Sequence, residues 1–88
     1  MADKTLRVEL VAADRAVWSG DAKMVIAKTV EGEIGLLAGH EPMLAILGSG
    51  EVRITLQTGE SIKATAAEGF LSVEHDVVTI VARDAQLA

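Results

Sequence analysis

Cysteine is absent from this 88-residue chain, proline occurs once, and the only aromatic residues are Trp18 and Phe70. Without cysteine no disulfide can brace the fold, and thiolate-ligated metal sites are excluded. A chain of this mass buries only about 60–65% of its extended-chain surface, so its core is thin and unsupported by cross-links. Basic side chains are scarce as well: eight against thirteen acidic ones leave a net charge of −5, which repels phosphate backbones and anionic lipid. Nucleic acid is therefore a poor partner. Apolar runs are only a few residues long, and Met1-Ala2-Asp3-Lys4 leads into an alternating segment instead of a signal-peptide core. The expectation is one soluble, intracellular domain spanning residues 1–88, with a core over about 5–83 and a tail at 84–88.

What the chain does contain is apolar residues at period two, the spacing that sends alternate side chains to a core and to water. Leu6, Val8 and Leu10 oppose Arg7 and Glu9. Val52, Ile54 and Leu56 alternate with Arg53, Thr55 and Gln57; after Thr58-Gly59-Glu60-Ser61 the pattern resumes with Ile62, Ala64 and Ala66, which predicts a hairpin. Leu71 and Val73 follow, and His75-Asp76 makes a turn. From Val77 to Ala82 apolar residues occupy both parities, predicting a strand buried on two faces or an edge strand covered by a partner. Between Ala22 and Leu47 two strands joined by a turn at Gly32 are expected, with 43–47 either a strand or one helical turn. Gly39-His40-Glu41-Pro42 reads as a loop, because proline lacks the amide donor and biases Glu41 towards extended backbone. Gly48-Ser49-Gly50 reads as a flexible corner that resets the chain direction, and residues 83–88 as helix-tolerant. Short strands without a long helical stretch predict an all-β, flattened antiparallel sandwich or barrel.

The residues offer little chemistry. His40-Glu41 opens like a zinc-binding H-E-x-x-H helix, but Leu44 stands where the second histidine belongs and Pro42 breaks the helix. No metal and no cofactor are expected. Gly32-Glu33-Ile34-Gly35 has the spacing of an RNA-clamping loop, yet carries a carboxylate where phosphate would sit. Gly48-Ser49-Gly50 lacks both the third glycine and the following helix of a dinucleotide site. No serine lies in a G-x-S-x-G context, and Glu31 and Glu33, flanking Gly32, form a solvated turn unsuited to separating two carboxyl pKa values. On these residues alone the chain is a β-sandwich interaction domain without evident catalysis.

Taken together, the same loop residues resemble a known family. Trp18-Ser19-Gly20, then Thr29-Val30-Glu31-Gly32-Glu33-Ile34-Gly35-Leu36-Leu37-Ala38-Gly39-His40-Glu41-Pro42, then Gly50-Glu51-Val52-Arg53-Ile54, then Glu68-Gly69-Phe70-Leu71-Ser72-Val73 resemble, in order and spacing, the N-terminal domain of the epsilon subunit of F-type ATP synthases. Two positions depart from the pattern. Ala38 stands where the family usually has proline, which leaves the approach to the loop less rigid, and Glu68 replaces a glycine, so that turn adopts positive φ less freely. Family members usually continue into a C-terminal helical hairpin, which is not expected in this sequence.

The resemblance implies a flattened sandwich of about ten strands, a non-catalytic part of the central stalk linking the gamma subunit to the ring of c subunits. It implies a peripheral location on the cytoplasmic face of the bacterial inner membrane, one copy per complex, and no transmembrane segment. Glu33 matches a position facing the polar loops of the c ring, with Glu31 and Gly32 beside it. His40, Glu41 and Pro42 match a loop bordering gamma and the ring, and Ala12 and Ala45 match positions near gamma. The rival reading is a free-standing β-sandwich that binds a small ligand or carbohydrate, or a diverged hydrolase; a pocket of convergent polar groups would favour it.

Overall fold

The computed structural model describes residues 5–87; residues 1–4 and 88 of the expected domain lie outside the described residues. Alternating apolar residues produce seven strands: β1 (Leu6–Ala12), β2 (Arg15–Ala22), β3 (Met24–Thr29), β4 (Gly32–Leu37), β5 (Met43–Thr55), β6 (Ser61–Glu74) and β7 (Val77–Leu87). They form one sheet in the order β2-β1-β7-β6-β5-β3-β4. Every pair is antiparallel except β1 and β7. That parallel pair joins the first strand to the last, which no hairpin connects.

Seven strands stand where the family resemblance implied about ten, because three of them serve twice. In β5, residues 43–46 pair with 70–73 of β6, whereas residues 50–55 pair with 61–66. In β6 and β7, residues 69–74 pair with 77–82, whereas 64–67 pair with 84–87. The first layer is thus β2, β1, the start of β7, the end of β6 and the start of β5; the second is the end of β7, the start of β6, the end of β5, β3 and β4. Residues 84–87, expected as a helix-tolerant tail, continue β7 instead, and buried Ala85 fixes them to the core. Gly48-Ser49-Gly50 does not reverse the chain but lies inside β5.

The inward faces meet in a single apolar cluster that includes Leu6, Val8, Leu10, Leu71 and Ile80 from the first layer and Val25, Leu36, Val52 and Ile54 from the second. Full burial of such side chains contributes about 1.5–3 kcal/mol each. Along each long strand the buried residues switch parity at the corner: from Leu47 to Val52 in β5, from Ala66 to Leu71 in β6 and from Ala82 to Ala85 in β7. An odd step keeps the same face inward only if the strand carries an irregular residue there, which is how strands pass from one sheet to another. In β6 that residue is Glu68, at φ 58°. The next residue must be glycine: a Cβ on Gly69 would stand 1.8 Å from the Val81 carbonyl oxygen.

Strand β2 is not among the strands expected from the sequence, and its pairing is irregular. The register jumps from Leu10↔Trp18 to Val11↔Ala16, leaving Val17 as an extra residue that breaks alternation and blunts an exposed edge. The Trp18 ring packs against the core and closes over Gly20, whose Cβ would approach it to 3.0 Å; this accounts for the Trp-Ser-Gly spacing. The hairpin after β5 is as expected, with Leu56 donating to Glu60 at 2.8 Å across Gly59. His75 and Asp76 both have positive φ (49° and 62°), the conformation of a two-residue turn between twisted strands. Strand β7 lies between β1 and β6, so it is not an edge. Its second apolar parity, Val77 and Val81, faces outward, with Val77 exposed and Val81 half-buried.

The corner generates the first prediction. A non-glycine residue in left-handed backbone costs about 1–2 kcal/mol, so Glu68→Gly should raise the urea midpoint by an amount equivalent to about 1 kcal/mol. Gly69→Ala should destabilise by at least about 3 kcal/mol, because its obstacle is backbone that cannot move without breaking the β6–β7 ladder. Equal, small effects of both substitutions would show that the corner is not under this constraint.

Candidate functional site

The turn between β3 and β4 carries the acidic residues singled out in the sequence. Strand β3 buries Val25, Ala27 and Thr29 on one parity. The chain then reverses through Val30 and Glu31, and Gly32 begins β4 at φ 127° with open space around it. The Thr29 hydroxyl holds this reversal from inside: Oγ1 donates to the Gly32 carbonyl at 2.7 Å and accepts from the Glu31 amide at 3.1 Å. On the other side the Val30 amide donates to the Ile46 carbonyl at 3.0 Å, fixing the turn to β5. Glu31 and Glu33 are exposed, and neither takes part in an ion pair among the described residues.

Beside this tip is an open cleft of about 390 Å³ lined by residues 29–34 and 43–46. Its rim exposes Val30 (65%), Leu44 (68%) and Ile46 (57%). Ile46 lies opposite Phe70, Phe70 opposite Val81 and Val81 next to Val11, so an apolar row runs across the outer face of the first layer. The expectation that 77–82 is buried on two faces or covered by a partner anticipates one part of this face; its extension through Phe70 and Ile46 is not among the expectations. Its signal lies in segments 43–47 and 77–82, where apolar residues occupy both parities: one set fills the core and the other is left exposed or half-buried among the described residues.

Of the other residues singled out, half-buried Ala45 lines the same cleft as Glu31, Gly32 and Glu33. His40, Glu41 and Pro42 are exposed in the loop that leads into β5. That loop is tied to the β6–β7 turn by the Gly39 amide, which donates to Asp76 Oδ1 at 2.7 Å, and His40 Nδ1 lies 2.7 Å from the Glu41 carbonyl. Ala12 is elsewhere: its side chain is 4% exposed and borders a second cleft.

The second cleft, about 750 Å³, lies open along the corner, between residues 12–15, 49–50, 65–67 and 83–86. Arg15 crosses it to donate to the Ala85 carbonyl at 3.1 Å and pairs with Asp14 at 3.1 Å. Neither aromatic residue lines it, and its arginines are matched by Asp14 and Asp84. It lacks the stacking platform that a sugar site uses and the enclosed, convergent polar groups of a small-molecule site.

The family described as "ATP synthase, Delta/Epsilon chain, beta-sandwich domain" matches residues 5–88. The chain is similar to the ATP synthase epsilon chain of Micrococcus luteus, with 52% identity over 82 residues covering 93% of this chain and 90% of that one. It is also 52% identical over 89 residues to that of Rhodococcus jostii, covering all of this chain and 71% of the relative. Among solved structures it resembles a chain in the Euglena gracilis mitochondrial ATP synthase assembly of OSCP, F1 and c-ring. The TM-score is 0.89 and the identity 26%, over 94% of this chain and 53% of that one. A chain in the Tetrahymena thermophila mitochondrial central stalk and c-ring shares the fold, with a TM-score of 0.75 at 16% identity over 97% of this chain and 68% of that one.

The division of β5 into inward and outward residues is directly testable. Ile46→Thr, which keeps a β-branched side chain on the outer face, should change stability by less than about 0.5 kcal/mol. Leu47→Ala, one residue along and buried, should cost about 2–5 kcal/mol. Denaturant midpoints of the two variants separate the faces, and similar losses would contradict the assignment.

Proposed function

The chain belongs to the ATP synthase delta/epsilon chain β-sandwich family, and from that premise we propose that it is a central-stalk subunit joining gamma to the c ring. In this reading the domain acts as one unit that supplies no catalytic residues and supports coupling of proton transport to ATP synthesis. It works on the cytoplasmic face of the bacterial inner membrane, one copy per complex. No helix among the described residues is long and apolar enough to cross a membrane. The observation that carries the reading is an acidic tip set against apolar side chains that are exposed among the described residues: Glu31 and Glu33 beside Val30, Leu44 and Ile46.

Each part has a physical task. Glu31, Gly32 and Glu33 face the polar loops of the c ring, and the carboxylates steer docking onto basic groups there. Exposed ion pairs contribute only about 0–1 kcal/mol each, so the tip orients the joint more than it holds it. Gamma covers the apolar row through Phe70 and Val81, where burial supplies most of the affinity. His40, Glu41 and Pro42 border both partners, and Ala45 lies under the same interface. The Ala12 side chain faces the core, so contact with gamma at that end falls to its exposed neighbour Ala13. A free-standing ligand-binding module is not favoured, since the larger cleft is open and lacks an aromatic side chain.

The test separates the two interfaces. Phe70→Ala should weaken association with gamma by about 1–3 kcal/mol, as expected for an apolar interface anchor. Glu33→Lys should leave gamma association within about twofold while lowering proton pumping in an epsilon-depleted complex reconstituted with the chain. Loss of gamma binding by Glu33→Lys in a folded domain would reverse the proposed orientation. A further expected outcome concerns nucleotide: the glycine-rich segments form a turn and a strand corner, so titration with millimolar Mg-ATP should give no saturable heat. Saturable binding would reveal a nucleotide site within the sandwich.

A further inference from the structure

We infer that Thr29 is a positioning residue that sets the direction of the acidic tip, so that the Glu31 and Glu33 carboxylates are presented in a fixed geometry before any partner arrives. The inference rests on reading that tip as the ring-facing surface. Thr29 is the one buried polar side chain among the described residues, at 6% exposure. A buried hydroxyl is retained only when its hydrogen-bonding capacity is used. Here both functions are spent on the tip: the proton goes to the Gly32 carbonyl at 2.7 Å and the lone pair receives the Glu31 amide at 3.1 Å. The hydroxyl, at the end of β3, therefore ties down Glu31 within the reversal and Gly32 at the start of β4, the residue that precedes Glu33.

A second contact limits the alternatives open to the turn. The Val30 amide donates to the Ile46 carbonyl at 3.0 Å, and a Cβ on Gly48 would come within 3.4 Å of the Thr29 carbonyl oxygen. The tip is thus gripped by β5 outside and by the Thr29 hydroxyl inside, although its two glutamates are exposed. Order present before docking need not be created by docking, so affinity is gained without a new contact. Surface carboxylates attached to a loose turn would lose that advantage while keeping their long-range steering.

Thr29→Val keeps the shape and β-branching of the side chain and removes both hydrogen bonds. In the chain bound to gamma, this variant should speed hydrogen exchange of the Glu31 amide at least about tenfold. It should also lower affinity for detergent-solubilised c rings about tenfold, with gamma affinity within about twofold. Thr29→Ser, which restores the hydroxyl, should recover both values. Gly32→Ala strains the same turn through its φ of 127° where no atom lies within 4 Å, so it should act in the same direction without disturbing the core. Unchanged Glu31 exchange in Thr29→Val would overturn the clamp. Faster exchange with unchanged ring affinity, in an assay where Glu33→Lys lowers that affinity, would overturn the positioning role alone. If neither Glu33→Lys nor Thr29→Val changes ring affinity, the ring-facing reading fails and the docking role of Thr29 fails with it.

Discussion

Everything in this domain depends on three strands turning a corner at the same level. A 14-residue strand such as β6 can serve two layers only if its buried face changes parity midway, and Glu68 and Gly69 provide that change. The contact is so close that a single methyl group at position 69 would overlap the Val81 carbonyl oxygen. From this follow the sandwich, the single apolar cluster and the seven strands that do the work of more. It also explains how a chain without disulfides holds two layers together: β5, β6 and β7 connect them covalently, so the layers cannot slide apart without breaking strand ladders.

That construction suits a part that must carry a load. The first segment of β5 forms the wall of the cleft beside the acidic tip, and the same strand continues through the corner into the second layer. A force applied at residues 43–46 is therefore borne along continuous backbone and across the β5–β6 ladder, not by side-chain packing alone. The inward parity of this segment is occupied by the core, which leaves Leu44 and Ile46 outside. One strand thus supplies core, cleft wall and uncovered apolar surface.

The sequence disclosed those features that depend on period two and on turn chemistry. Leu6, Val8 and Leu10, the hairpin around Gly59 and the His75-Asp76 turn were legible because local rules and tertiary structure agree there. The corner was not, since a parity switch looks like the end of one strand and the start of another, as Gly48-Ser49-Gly50 does in the sequence. Strand β2 was obscured by its extra residue at Val17. Residues 84–87 contain no β-branched or aromatic side chain, and pairing with 64–67 makes them a strand. Glu68, which by its Cβ adopts positive φ less freely than glycine, is nevertheless held at φ 58° between the surrounding ladders. The acidic tip was visible through its motif, but Thr29 was not singled out as its support. The clue was in the pattern: Val25, Ala27 and Thr29 share one parity, so a hydroxyl on that face had to be buried and had to find partners.

The tip and the apolar row divide the work of recognition between them. Glu31 and Glu33 are exposed carboxylates whose attraction is screened within about 8 Å at physiological salt. Such groups influence the rate and orientation of encounter more than the strength of the finished contact. Val30, Leu44, Ile46 and Phe70 carry the opposite property: they attract nothing at a distance but release water when covered. Placing the two sets side by side lets charge choose the docking geometry and apolar area hold it. The arrangement requires that the charged set keep its angle to the apolar set, and that angle is what the Thr29 hydroxyl and the Ile46 carbonyl together fix.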